Sequence, residues 1–137
     1  MTSLFRRLQP RQKFRITITG IAQLLKIPKH KILRIECWAY IIFVHHQDKG
    51  GQFISYRKLQ HWQNAAASQI QNCSTFQQMR SLWLAIEEDC KKHKKQYNNK
   101  YQPSLSQIWT KRARMLWNNP ESREQITTCD RAFSEPL

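Results

Sequence analysis

The densest group of side chains that could do chemistry lies between residues 29 and 34 and is basic. Lys29, His30, Lys31 and Arg34 stand within six positions of one another. Lysine and arginine donate hydrogen bonds to guanine O6 and N7 in the major groove, and to phosphate oxygens along the backbone. The segment therefore predicts contact with nucleic acid. The competing interpretation is a solvated basic surface.

A second group of candidates lies around a predicted turn at residues 47–51. Lys49 stands at its tip, and Gly50 and Gly51 permit close backbone approach. Contacts to phosphate from such residues set register and salt dependence rather than sequence choice. The candidates for the wing and its flanks are Thr17, Lys49, Gly50, Gly51, Gln52, Arg57 and Lys58.

Catalytic and metal chemistry find little support. His45 and His46 are neighbours, and neighbours on a strand point to opposite faces, so they are poorly placed to chelate one ion. The four cysteines are scattered without C-x-x-C spacing, which favours a cytosolic protein with reduced thiols. Ser/His/Asp sets, glycine-rich phosphate loops and H-E-x-x-H are absent. We expect no catalytic residues, no metal and no cofactor, and hence no enzyme.

Charge is the strongest global signal. The 137 residues include 23 basic and 9 acidic side chains, for a net charge of +14. Residues 1–62 hold twelve basic and two acidic side chains, whereas residues 63–137 hold eleven and seven. Such a field attracts a polyanion, of which DNA and RNA are the obvious examples. A merely soluble basic protein is the alternative, and the concentration of charge disfavours it.

The elements that must position the basic segment begin with a helix. Thr17 is a suitable N-cap, and apolar residues recur at helical spacing up to Leu25. Lys26-Ile27-Pro28 breaks this helix. A second helix is predicted from about Pro28 to Cys37, and it would present the basic residues outward. Its inward candidates are Ile32, Leu33 and Ile35.

A β-hairpin is predicted next, from the runs Tyr40–Val44 and Gln52–Ile54. Ser55 then caps a helix that reaches about Gln71. The order helix, break, helix, hairpin, helix is that of a winged helix-turn-helix, here from Phe14 to Trp62. The expected fold class is mainly α with a small β-hairpin, followed by C-terminal dimerisation helices.

The C-terminal part is predicted to contain a long helix from Ser74 or Thr75 to about Tyr97, and another from Pro103. An apolar stripe on a long helix is more often core, but in so small a domain it favours a homodimer. The proposed dimerisation residues are Phe76, Met79, Trp83 and Ile86. The expected organisation is a basic lead-in at 1–13 (a short helix or a disordered arm), a DNA-binding domain at 14–72, a helical dimerisation region at 73–119 and a weakly structured tail at 120–137.

The segment from Thr17 to Arg34 resembles the start of the MerR family of bacterial regulators, where the pattern is like T-I-x-x-L-A-x-L-x-x-V-S-x-x-T-L-R. Ser55 to Leu59 stands where that family has S-x-x-D-L after its wing. Lys26, Ile35, Glu36 and Gln52 depart from the family pattern, so specific contacts are expected to differ. The matching positions are Thr17, Ile18, Ile21, Ala22, Leu24, Ile27, Pro28, Ile32 or Leu33, and Arg34.

Small size and high basicity narrow the resemblance to the short MerR-type repressors associated with type V-K CRISPR transposons of cyanobacteria. It implies a homodimer that binds double-stranded promoter or operator DNA and represses transcription of CRISPR genes. The expected location is the cytoplasm, at the nucleoid. No run of about 18 apolar residues exists, so no membrane partner is expected. The alternatives are an excisionase-like DNA-bending protein and an RNA-binding ribonucleoprotein subunit.

Overall fold

The computed structural model describes residues 1–118, and the predicted tail at 120–137 lies outside them. The chain forms two compact units. The sheet unit is Leu8–Trp62, and the helical unit combines Met1–Arg7 with residues 63–118 of the described part. The predicted organisation placed a boundary at residues 72 and 73, whereas the units divide within a helix at Trp62.

The helices and strands of residues 1–118 have the following bounds. The helices are α1 (Ser3–Leu8), α2 (Pro10–Lys13), α3 (Ile18–Leu25), α4 (Gln60–Gln71), α5 (Phe76–Lys92) and α6 (Tyr101–Trp117). The strands are β1 (Ile32–Cys37), β2 (Ile42–His46) and β3 (Gly50–Ile54), and short 3-10 turns cover Lys29–Lys31, Tyr56–Lys58 and Lys94–Gln96. The chain is thus mainly helical with one small antiparallel sheet in the order β1-β2-β3.

Helix α3 confirms the first predicted helix and its cap. The Thr17 hydroxyl accepts a hydrogen bond from the backbone N–H of Gly20 at 3.0 Å, which satisfies one of the donors that a helix leaves open at its N-terminus. At the other end, Lys26 adopts the left-handed conformation with φ of 57° and ψ of 44°. The N–H of Ile27 then reaches back to the carbonyl of Ala22 at 3.1 Å, as in a Schellman ending.

Strand β1 corrects the second helix predicted from Pro28 to Cys37. Only Lys29–Lys31 are helical, as one 3-10 turn, and the chain is extended from Ile32 onward. β1 pairs antiparallel with β2, with Ile35 opposite Val44. The chain therefore has the predicted hairpin without a recognition helix, and these residues do not form the predicted helix-turn-helix.

The physical reason lies in pairing and side-chain shape. β-Branched Ile32 and Ile35 suit a pleated surface, and a ready partner strand lies a few residues away. The segment Ile-Leu-Arg-Ile-Glu has only a weak preference for a helix, and pairing with β2 outweighs that preference. Of the predicted inward residues, Ile32 is buried, whereas Leu33 is 63% exposed beside a bulge in the β1–β2 register.

The hairpin prediction is confirmed, with shifted ends. The strands run from Ile42 to His46 and from Gly50 to Ile54, rather than from Tyr40 and from Gln52. The inner face of this sheet supplies the fully buried side chains Ile42 and Val44. Ser55 caps the following 3-10 turn through Arg57 N–H, and α4 begins only at Gln60.

The helical unit buries most of the stripe predicted for dimerisation. Phe76, Met79 and Ile86 of α5 are each at most 2% exposed. Trp83 is half-buried and donates to the carboxylate of Glu87 at 2.8 Å. The stripe therefore belongs largely to the core of its own chain and does not lie on the surface. The homodimer itself stays a prediction.

A buried carboxylate organises the end of α5. Asp89 is fully buried and accepts hydrogen bonds from the hydroxyls of Thr2 and Tyr97. Burial raises the pKa of the Tyr97 hydroxyl above its usual range. Thr75, one of the two predicted start positions, caps α5 by accepting a hydrogen bond from Gln78 N–H, and the helix ends at Lys92 instead of about Tyr97.

The predicted basic lead-in is folded into two short helices. Leu4 and Leu8 of α1 are buried, and Pro10 occupies the first position of α2, where proline needs no amide donor. None of the helices within residues 1–118 is long and apolar enough to cross a membrane.

The left-handed residue at the end of α3 yields a test of local strain. A Cβ in this conformation costs about 1–2 kcal/mol, and glycine avoids that cost while losing about 0.5–1 kcal/mol of chain entropy on folding. We expect Lys26→Gly to stabilise the sheet unit by roughly 0.5–1 kcal/mol. Native-state hydrogen exchange of the β1–β3 amides measures this unit by itself.

The matched control is Lys26→Ala, which removes the charge and keeps the Cβ. Its exchange rates should stay close to those of the wild type. Equal gains in both variants would assign the effect to charge and not to backbone conformation.

Candidate nucleic-acid interface

The predicted basic segment is brought against the tip of the hairpin. The carbonyl of Lys31 accepts a hydrogen bond from Gln47 N–H at 2.8 Å, and Ile32 pairs with His46. The turn Lys29–Lys31 therefore lies beside the β2–β3 turn that carries Lys49. Four predicted site residues meet here, and we call them the basic end of the sheet: Lys29, His30, Lys31 and Lys49.

The acid at this end is neutralised locally. The Lys31 ammonium donates to the Asp48 carboxylate at 2.6 Å, and this hydrogen bond holds the pKa of Asp48 below its usual range. Lys29, His30 and Lys49 are exposed. The basic end therefore presents cations to solvent while its carboxylate is already paired.

Arg34, the last of the four contact residues predicted on the recognition helix, lies instead on the outer face of the sheet. Its guanidinium donates to Glu36 at 3.2 Å and lies 3.1 Å from His45 Nε2. The same Glu36 oxygen is 2.5 Å from His45 Nε2, and this hydrogen bond is the main reason that the Glu36 pKa is lowered. Both acidic residues of the sheet unit are thus engaged by neighbouring cationic or imidazole groups.

Three aromatic rings lie on this same face, and sequence reasoning missed them as site residues. The Trp38 ring stacks on Phe43, with centroids 5.5 Å apart and planes 13° from parallel. The Phe53 ring meets both edge-on, at 5.4 Å from Trp38 and 4.9 Å from Phe43. We call this cluster, Trp38, Phe43 and Phe53, the aromatic face. Side chains alternate between the two faces of a strand, so Phe43 and His45 lie on the same face of β2. This alternation was the signal in the sequence that could have indicated part of the aromatic face.

The backbone beneath Trp38 is fixed from inside the unit. The fully buried Tyr56 donates its hydroxyl to the Trp38 carbonyl at 2.6 Å. Burial raises the pKa of Tyr56 to about 12, so the hydroxyl keeps its proton and can donate this hydrogen bond further into alkaline pH than an ordinary tyrosine. The position of Trp38 therefore depends on a buried hydrogen bond.

Gly51 has a steric role at the aromatic face. A Cβ placed on Gly51 would lie 2.2 Å from Cζ of Phe43, so the ring occupies the space that any other residue would fill. Gly50 differs, since its φ of 74° demands a left-handed conformation while a Cβ there meets open space. The two predicted wing glycines are thus needed for separate reasons.

Other predicted wing and flank residues hold the structure together. Thr17 caps α3, and Gln52 engages the buried His46 ring at 2.8 Å. The Arg57 guanidinium stacks over Trp62 at 5.0 Å, whereas Lys58 is exposed. Thr17, Gln52 and Arg57 therefore make contacts within the sheet unit.

The histidines are arranged as the strand period predicts. His45 lies on the outer face with Glu36, and His46 is 8% exposed on the inner face. Across residues 1–118, no group of three or more His, Cys, Asp or Glu side chains is placed to hold a metal ion.

Comparison of the chain with profiles of known protein families, with curated sequences and with solved structures gives no match.

Substitutions at the two glycines should separate their roles. Gly51→Ala is expected to displace the Phe43 ring, because the new methyl group occupies its place. The ring proton chemical shifts of Phe43 and Trp38, followed by NMR, measure that movement. Gly50→Ala is the control: it should destabilise the turn by about 1 kcal/mol through its positive φ while leaving those ring shifts in place. Unchanged ring shifts in Gly51→Ala would contradict the packing described here.

Proposed function

We propose that this protein binds nucleic acid through its sheet unit. The observation that carries the proposal is the charge of Leu8–Trp62, which holds ten basic and two acidic side chains. Both acids already make local pairs, Asp48 with Lys31 and Glu36 with Arg34 and His45. The remaining positive charge favours a polyanionic partner.

The basic end supplies the expected phosphate contacts. Lys29 and Lys49 are exposed and come from segments 20 residues apart that fold side by side. Lysine ammonium groups bind phosphate as point charges, and these contacts do not depend on which base the nucleotide carries. Binding at this end is therefore expected to be strongly salt-dependent.

Salt titration tests the basic end. Each lost phosphate contact lowers the magnitude of the slope of log Kobs against log salt by about 0.9 on duplex DNA. We expect the double variant Lys29→Ala/Lys49→Ala to lower the slope by roughly two and to weaken binding, as measured by fluorescence anisotropy over a range of salt concentrations.

The matched control is Lys91→Ala/Lys94→Ala, which removes two exposed charges from the helical unit. Its slope should remain close to that of the wild type. Equal losses in both double variants would assign binding to net charge alone and would contradict a site at the basic end.

A second candidate is the sequence-specific repressor that acts as a homodimer on double-stranded operator DNA. The observation that favours it is the hairpin, whose exposed tip carries Lys49 and Gly50 as a wing would. With Arg34 on a strand, base contacts in a groove would come from the sheet and the turn rather than from a helix.

Selection from random duplex DNA tests this second candidate. A repressor should enrich one two-fold symmetric site and bind it at least about 1,000-fold more tightly than random duplex. Sedimentation velocity should then give the mass of a dimer at micromolar concentration. A monomer that enriches no site would contradict the repressor and would leave general nucleic-acid binding in place.

A further inference from the structure

The aromatic face leaves large apolar side chains exposed to solvent instead of burying them in the core of the sheet unit. Trp38 leaves 43% and Phe53 leaves 54% of its surface in solvent, while Phe43 is half-buried between them. The three ring centroids lie within 5.5 Å of their neighbours. Contiguous exposed apolar surface of this kind marks a site of interaction.

The charge of the sheet unit, ten basic against two acidic side chains, favours a partner that carries negative charge. Arg34 lies two residue pairs along the β1–β2 ladder from Phe43, on the same face, with 66% of its side chain exposed. Glu36, the acid on this face, is already engaged by Arg34 and His45. A partner that offers flat apolar groups together with negative charge is complementary to this surface, and a strand of nucleotides offers both.

The geometry of the sheet extends this match toward the basic end. Phe43 and His46 are three residues apart on β2, a rise of about 10 Å along the strand. The rings therefore lie toward one end of the sheet and the cations Lys31 and Lys49 at the other. Bases can lie on the rings while their phosphates follow Arg34 toward the basic end.

Paired bases do not fit this role, because in a duplex both faces of each base are covered by its neighbours. An unpaired base exposes its flat π-face to solvent. Because every base has such a face, aromatic side chains bind unpaired bases with little sequence preference. We propose that the aromatic face binds unpaired bases of single-stranded nucleic acid by stacking. This inference rests on the proposed function and specifies the kind of nucleic acid that the sheet unit takes.

The experiment uses the full chain and labelled oligomers of about 12 nucleotides, within the range of known single-strand sites. Oligouridine, oligodeoxyuridine and a DNA duplex of the same length are the three probes, so that the two single strands differ only in the 2′-hydroxyl, and fluorescence anisotropy at matched salt is the measurement. Both single strands should bind more tightly than the duplex. A difference between the first two would assign the natural ligand to RNA or to DNA.

The variants separate stacking from charge. Phe53→Ala should weaken single-strand binding by about tenfold and leave duplex binding unchanged. Phe53→Leu keeps apolar bulk without a π-face and should weaken single-strand binding to a similar degree. Leu33→Ala, which removes an equally exposed apolar residue from β1, is the control and should leave it unchanged.

Tryptophan fluorescence gives a second readout that does not depend on the stability of an alanine variant. Stacking of a base on Trp38 should quench part of the emission when oligodeoxyuridine is added. Trp38→Phe keeps a ring in place and should remove that quenching. The other four tryptophans, Trp62, Trp83, Trp109 and Trp117, are present in both proteins, so the difference in quenching between wild type and Trp38→Phe reports on Trp38.

Two results would overturn the inference. In the first, Phe53→Ala and Phe53→Leu still bind single strands as the wild type does, whereas Lys29→Ala/Lys49→Ala does not. The protein would then bind nucleic acid without stacking on the aromatic face. The other is self-association that is lost in Phe53→Ala, with no preference of the wild type for single strands, which would make the face a protein contact. Failure of all three probes to bind would overturn the proposed function as well.

Discussion

Antiparallel pairing between β1 and β2 is the interaction on which the sheet unit depends. It holds Ile35 opposite Val44 and draws the chain from Ile32 to Cys37 into extended form. In a helix, Arg34 and Glu36 would point in different directions. In the strand, they share one face and meet His45 across the pair. The same pairing brings the Lys29–Lys31 turn beside the hairpin tip, so both candidate surfaces arise from a single register.

Local sequence signals predicted several elements correctly. The Thr17 cap, the break after Leu25 and the Thr75 cap are decided within a few residues, and each occurs where the sequence indicates. The hairpin also follows from short-range features, namely β-branched runs on either side of the turn signal at residues 47–51, of which Gly50 and Gly51 begin β3. The basic candidates were found because charge is visible without knowledge of the fold.

The second helix could not be predicted correctly from its own residues. Ile32 to Cys37 carries apolar side chains at spacings compatible with a helix or with a strand, and the choice depends on a partner ten residues away. The aromatic face was missed for the same reason. Trp38, Phe43 and Phe53 belong to three different stretches of the chain, and only the register of the sheet assembles them. Long-range pairing, and not local composition, decides such sites.

The contact between Gly51 and the Phe43 ring has a consequence for the evolution of this surface. Gly51 is exposed, and exposed positions normally accept most amino acids. Here the ring occupies the volume of any side chain, so drift at position 51 is limited as it would be in a protein core. A smaller residue at position 43 would relieve the clash that a side chain at position 51 makes with the ring. The two positions should therefore covary among descendants of this sequence.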